Sequence, residues 1–133
     1  MCSLSNEITH PTVDVDTVRS KIKDDSLRLI DVRREEDYNK GHIPNAVNLP
    51  LASLLSDDSP ESVVKLAEDM GIADNTQVVV YDDTFGALAS RVAWTLQYIG
   101  HDNVALLEVT YSQWKELGLK TSNEKPNIKP AKH

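Results

Sequence analysis

Residues 76–81 (TQVVVY) contain a continuous apolar run, which is typical of a strand that is buried on both faces. Strands of this kind occur where helices cover both sides of a parallel sheet. Further short apolar runs at 27–32, 46–49 and 104–107 alternate with segments of helical periodicity. This alternation predicts an α/β fold with a mostly parallel sheet, whose ligands lie beyond the carboxyl ends of the strands.

The predicted helices begin at capping residues and end near glycines. Ser59 is followed by Pro60 and Glu61, which is typical of the first turn of a helix. Residues 33–41 are charged and predict one short helical turn. The other predicted starts are Asp14, Gly86 and the Thr110–Gln113 capping box, and the predicted ends are Gly71, Gly100 and Gly118.

The length of 133 residues suits a single domain. We expect the domain to cover residues 13–119, after an N-terminal extension at 1–12 and before a basic, linker-like tail at 120–133. The tail carries a net charge of +3 and the rest of the chain therefore carries −10. A body this acidic repels phosphate backbones, which disfavours nucleic acid as a partner.

No apolar run approaches the roughly 20 residues that a membrane span needs, and no secretory leader is visible. The single cysteine, Cys2, excludes an intrachain disulfide. From these observations we expect a cytoplasmic location and no membrane partner.

Residues 29–50 (LIDVRREEDYNKGHIPNAVNLP) resemble the N-terminal signature of the rhodanese family. Residues at the spacing of that signature are Tyr38, His42, Ile43, Pro44, Ala46 and Leu49. Asn45 stands where the family usually has glycine. Because asparagine tolerates a positive φ better than most residues, we expect the turn to be retained.

Residues 78–104 (VVVYDDTFGALASRVAWTLQYIGHDNV) are similar to the N-terminal, non-catalytic half of tandem thiosulfate and 3-mercaptopyruvate sulfurtransferases. The resemblance implies a rhodanese-like domain with a five-stranded parallel sheet and helices on both faces. A third family segment corresponds to residues 106–114 (LLEVTYSQW), where Val109 and Thr110 replace two glycines. This replacement predicts an altered pocket.

Enzymes of this family accept sulfur on a cysteine thiolate just after the central strand, among backbone N–H groups at a helix N-terminus. By the resemblance, Asp82 occupies that position, and a carboxylate cannot form a persulfide. We therefore assign no catalytic residue, no cofactor and no metal, and expect no sulfur transfer by this chain alone. The degenerate loop comprises Asp82, Asp83, Thr84, Phe85 and Gly86.

Five further residues are candidates for a pocket or for structural ion pairs: Asp31, Arg33, His42, Arg91 and Glu108. Asp31 and Arg33 follow a strand, and we expect them to form an ion pair that tethers the backbone. His42 is predicted to fix a turn. Arg91 is predicted either to pair with the two acidic residues of the loop or to be solvated.

Three functions remain open. In the tandem enzymes the half with an aspartate supports a catalytic half, so the partner would be a second, cysteine-bearing rhodanese domain, in cis or in trans, or another protein. Alternatively, the chain is a stand-alone regulatory or protein-binding module. A third alternative is a magnesium-dependent hydrolase that uses Asp82 and Asp83.

Overall fold

The computed structural model describes residues 11–24 and 26–132. Within them the strands are β1 (Thr12–Val13), β2 (Leu27–Asp31), β3 (Val47–Asn48), β4 (Gln77–Tyr81) and β5 (Val104–Leu107). They form one five-stranded sheet in the order β1-β5-β4-β2-β3, and every pair is parallel. The predicted parallel sheet is confirmed, and β4 lies at its centre.

The helices are α1 (Val15–Lys21), α2 (Glu35–Lys40), α3 (Leu51–Ser56), α4 (Pro60–Asp69), α5 (Ala87–Tyr98) and α6 (Tyr111–Glu116). Alternate residues of β4 point to opposite faces of the sheet, so Val78 and Val80 belong to one core cluster and Val79 and Tyr81 to another. The first cluster contains buried residues of α3, α4 and α5, and the second contains buried residues of α1, α2 and α6. Helices therefore cover both faces, as predicted.

The capping signals predict most helix ends correctly. Thr110 and Gln113 make both bonds of a capping box, and Ser59 accepts a hydrogen bond from the Ser62 amide. Asn45 adopts a φ of 69°, which confirms that asparagine serves at this turn in place of glycine. Its side chain also donates to the Ile22 carbonyl at 2.8 Å.

Two elements were not predicted from the sequence. The first is β1, which has only two residues and pairs with the edge of the sheet at β5. The second is α3, which follows Pro50 and has no side-chain cap. Both lack the length or the capping residue on which sequence prediction depends.

Residues 120–132 lie against the domain. Ser122 exchanges two backbone hydrogen bonds with His42, and the Ala131 amide donates to the Glu68 carbonyl at 2.9 Å. The side chain of Ile128 packs against the α4 side of the core. The domain boundary after residue 119 stays a prediction, but the residues beyond it are in contact with the body of the domain.

No helix in the described part of the chain has both the length and the apolar character that crossing a membrane requires.

Candidate functional site

The carboxyl ends of the central strands bring three segments together. Asp31 at the end of β2 is in register with Tyr81 at the end of β4. The Tyr111 amide, at the start of α6, donates to the Asp82 carbonyl at 3.0 Å, which ties the segment after β5 to the segment after β4. The candidate site lies at this edge, as the parallel sheet predicts.

The carboxylate of Asp82 is enclosed by its own loop. Its Oδ1 atom accepts hydrogen bonds from the backbone amides of Thr84 and Gly86, both at 3.0 Å. Its Oδ2 atom accepts from the amides of Leu88 at 3.0 Å and Ala89 at 2.8 Å, and from the Thr84 hydroxyl at 2.9 Å. Four backbone amides and one hydroxyl therefore converge on a side chain that is only 2% exposed. We call this arrangement the Asp82 nest.

The nest keeps the carboxylate charged. Burial raises the pKa of Asp82, but the hydrogen bonds from the amides of Ala89, Thr84 and Gly86 and from the Thr84 hydroxyl outweigh it, so that the pKa lies below its ordinary value of 3.8. The first turn of α5 receives the negative charge that its unpaired amides favour.

The loop reverses direction through two consecutive left-handed residues, Phe85 with a φ of 57° and Gly86 with a φ of 94°. Glycine adopts this conformation without steric cost, whereas a bulky residue is strained there. The Phe85 side chain is 83% exposed, so burial of the ring against the described residues does not offset this strain.

Asp83 turns away from Asp82 and towards α6. Its carboxylate accepts from the Ser112 amide at 3.0 Å and from the Ser112 hydroxyl at 2.8 Å. The two carboxylates thus have different partners, and both oxygens of Asp82 are occupied by backbone amides, which cannot coordinate a cation. No cluster of three potential metal ligands occurs in the described residues. This geometry argues against the magnesium alternative.

Asp31 and Arg33 form the expected ion pair and tether. The guanidinium of Arg33 contacts both carboxylate oxygens of Asp31 at 2.7–3.1 Å, and the Arg33 amide donates to Oδ1 at 2.9 Å. The Tyr81 hydroxyl donates to the same carboxylate at 2.6 Å. Burial, together with the charge of Asp31, raises the pKa of Tyr81 well above its ordinary value, so the phenol remains a donor.

The guanidinium of Arg33 also contacts the end of α2 and the first residue of α6. Its Nη2 atom donates to the Gly41 carbonyl at 2.6 Å, and its guanidinium lies 4.0 Å from the centre of the Tyr111 ring. A Cβ at Gly41 would come within 2.8 Å of the Tyr111 hydroxyl, so a larger residue there would displace the end of the Tyr111 side chain. Arg33 and Tyr111 together form one wall of a cavity of about 680 Å³.

His42 fixes a turn, as predicted, and also holds the segment after residue 119. The ring is buried and stacks on Tyr38 with a centroid distance of 3.9 Å. Its Nδ1 atom lies 2.9 Å from the Tyr38 carbonyl and its Nε2 atom 2.8 Å from the Glu124 carbonyl.

The prediction that Arg91 pairs with the acidic residues of the loop is wrong. Its guanidinium lies 3.6 Å from Asp58 in the α3–α4 connection, and 5.2 Å from the centre of the Trp94 ring. The acids of the loop are already bonded to backbone amides and to Ser112, so they offer no open partner to Arg91.

Glu108 is exposed at a smaller cavity of about 160 Å³ between the loop and residues 106–110. Val109 and Thr110 line this cavity as well, so a pocket exists beside the segment that departs from the family pattern. Its walls also include Phe85 and Gly86.

Sequence reasoning missed three residues of this edge: Tyr81, Tyr111 and Ser112. Tyr111 and Ser112 directly follow the N-cap of α6, after β5, so the rule that places sites beyond strand ends could have found them. Tyr81 ends the predicted central strand, where ligands are expected, but no periodicity shows that its hydroxyl bonds Asp31.

A model of the rhodanese-like domain family matches residues 14–117. The sulfur carrier protein TtuD of Thermus thermophilus is 32% identical over 135 aligned residues, which cover 93% of this chain and 47% of that protein. A probable 3-mercaptopyruvate sulfurtransferase of Pseudomonas aeruginosa is 34% identical over 107 residues, which cover 70% of this chain and 37% of that protein. The chain thus spans less than half the length of these relatives.

Among solved structures, SseA of Escherichia coli, a 3-mercaptopyruvate sulfotransferase, aligns with a TM-score of 0.81. The alignment covers 93% of this chain and 56% of that one at 21% identity, and it therefore shows the fold. Since the family model covers most of the sequence, this chain belongs to the rhodanese-like domain family and is homologous to thiosulfate and 3-mercaptopyruvate sulfurtransferases.

Proposed function

We propose that this chain is a rhodanese-like domain without sulfur-transfer activity of its own, which supports a cysteine-bearing rhodanese domain in cis or in trans. The observation that carries the proposal is the Asp82 nest. The carboxylate occupies the position after the central strand and uses the amides that would otherwise face a reacting anion.

Sulfur transfer of the rhodanese type needs a thiolate that attacks the donor and becomes a persulfide. Asp82 has no sulfur atom, and its negative charge repels an anionic donor at short range. The one cysteine of the sequence, Cys2, lies outside the described residues. The chemistry of the loop therefore favours a role other than catalysis.

Exposed aromatic residues on the loop and along α5 support a role in binding a partner. Phe85 is 83% exposed, and on α5, which begins at the loop, Trp94 and Tyr98 are 48% and 63% exposed. The rings of Trp94 and Tyr98 stack with a centroid distance of 5.7 Å. Large exposed aromatic side chains are typical anchors of protein interfaces.

Mixing experiments test the supporting role. The chain, a separately purified cysteine-bearing rhodanese domain from the same organism, and their mixture are each given thiosulfate or 3-mercaptopyruvate with cyanide, and thiocyanate is measured. We expect no turnover by the chain alone, and a complex of defined stoichiometry whose turnover exceeds that of the cysteine-bearing domain. A Phe85→Ala variant should weaken the complex, whereas Leu117→Ala, an exposed apolar residue on α6's C-terminal side, serves as the matched control.

The same assay distinguishes the supporting role from a second candidate function, a stand-alone binding module. That candidate is also favoured by the exposed aromatic residues, but it requires no cysteine-bearing partner. If no cysteine-bearing rhodanese domain forms a complex with the chain, and one stoichiometric partner of another kind does, the supporting role is wrong and the binding module replaces it.

A further inference from the structure

The cavity of about 680 Å³ beside Arg33 is lined by basic side chains on an acidic chain. Its lining includes four basic side chains, Arg33, Arg34, Lys40 and Lys115, and two acidic side chains, Asp37 and Asp83. The lining therefore has a net charge of +2, whereas the whole chain carries −7. A concave site with an excess of positive charge concentrates anionic ligands.

Arg33 provides a fixed point at the back of this cavity. Its side chain is nine-tenths buried, since its exposed fraction is 10%, and Asp31 holds it from behind. Nε and Nη2 donate to Asp31 and to the Gly41 carbonyl, but Nη1 makes no hydrogen bond to any described residue. The free N–H groups belong to an arginine that is already desolvated and oriented, which reduces the cost of binding an acceptor.

Two exposed lysines add positive charge at the rim of the cavity. Lys40 at the end of α2 and Lys115 at the end of α6 are exposed, and neither makes an ion pair with the described residues. The ammonium of Lys115 also lies 5.0 Å from the centre of the Tyr111 ring, and the guanidinium of Arg33 lies 4.0 Å from the same centre. The two acidic side chains of the lining already have partners, because Asp37 pairs with Arg34 at 3.5 Å and Asp83 accepts a hydrogen bond from Ser112.

The remaining walls suit a small molecule. Tyr111 and Leu88 provide apolar surface, and Thr121 provides a hydroxyl group. The volume is within the range of about 300–1,000 Å³ that small-molecule sites occupy. We propose that this cavity binds a small oxyanion, an organic carboxylate or an inorganic anion, between Arg33, Lys40 and Lys115. The cavity adjoins the Asp82 nest at Thr84 and Leu88, but the donors of the nest are used internally and are not part of the proposed contacts.

Titration of the full chain tests the proposal. Sulfate, phosphate, succinate and citrate are the probes, added at constant ionic strength with chloride as the background, and backbone amide shifts are followed by NMR. We expect at least one probe to give saturable shifts centred on Gly41 and Tyr111. Binding by the Lys40→Gln/Lys115→Gln variant should be about tenfold weaker, because two charges near the ligand are lost.

A matched control removes the same charge elsewhere. Lys65→Gln/Lys132→Gln changes two lysines that do not line the cavity, and we expect its affinity to stay within about twofold of the unmodified chain. An equal loss in both variants, or no saturable shift with any of the four probes, would overturn the proposal. So would binding of an aspartate-rich peptide at this cavity when no small anion binds, since the partner would then be a protein segment.

The variants leave Asp82 and its loop unchanged, and the readout is binding alone. The anion site and the proposed lack of sulfur transfer can therefore fail independently.

Discussion

The backbone amide of Ala89 donates a hydrogen bond of 2.8 Å to the Oδ2 atom of Asp82, seven residues earlier in the chain. This bond joins the residue after the central strand to the first turn of α5. The first amides of a helix have no partner within the helix, and a buried carboxylate is a strong acceptor for them. The acidic residue that follows the central strand therefore stabilises the helix behind it.

Removing the carboxylate should destabilise the fold. Asp82→Ala leaves four backbone amides without their acceptor, and we expect the free energy of unfolding to fall by about 2–4 kcal/mol. Denaturation by urea measures the change. Asp83→Ala is the matched control, because that exposed carboxylate bonds only Ser112, and its cost should stay below about 1 kcal/mol. Equal costs for the two variants would show that the nest has no special role in stability.

The nest also predicts a pH dependence. The pKa of Asp82 in the folded chain lies below its ordinary value of 3.8. A depressed pKa contributes stability that is present above the unfolded-state value and is lost as the pH falls through the folded-state value. The difference in unfolding free energy between the unmodified chain and Asp82→Asn should thus be constant above about pH 5 and shrink below about pH 4. A difference that stays constant down to about pH 3 would contradict this assignment.

Cysteine in the nest should be an acidic thiol. In a Cys2→Ser background, Asp82→Cys places the only thiol among the amides of Thr84, Gly86, Leu88 and Ala89. We expect a thiol pKa at least about one unit below the ordinary value of roughly 8.5, because the amides favour the thiolate. The rate of alkylation by iodoacetamide as a function of pH measures it. A pKa at or above the ordinary value would mean that these amides require a carboxylate to converge.

Phe85 should lower the stability of the fold and strengthen the binding of a partner. Its left-handed φ of 57° strains any residue with a Cβ, so Phe85→Gly should be more stable than Phe85→Ala by about 0.5–1 kcal/mol. Both variants remove the aromatic ring and should weaken the complex with a cysteine-bearing domain. Thermal melting and binding measurements on the pair give the two readouts. If the alanine variant is as stable as the glycine variant, the backbone at this position is not strained. If neither variant loses affinity, Phe85 does not contact the partner.

The sequence predicts the framework of the site well, because its signals are local. The apolar run before Asp82 indicates the central strand, Gly86 marks the start of α5, and Thr110 with Gln113 marks the start of α6. The Asp31–Arg33 pair follows from two charges at one strand end. Each of these predictions depends on residues that are close together in the chain.

Contacts between distant segments could not be predicted in the same way. The bond from Ser112 to Asp83 spans 29 residues and that from His42 to Glu124 spans 82 residues. The sequence leaves open whether Arg91 pairs with the acidic residues of the loop or is solvated, and its position on α5 directs it to Asp58 instead. Which partner a long side chain selects depends on the packing of neighbouring elements, and periodicity does not contain that information.

The most direct test of the central claim is the formation of thiocyanate by this chain alone. The unmodified chain and its Cys2→Ser variant are incubated with cyanide and either thiosulfate or 3-mercaptopyruvate, beside a blank without protein. Because Asp82 provides no thiolate at the end of the central strand, we predict that both proteins give the rate of the blank. Turnover that rises in proportion to the concentration of either protein would contradict the account.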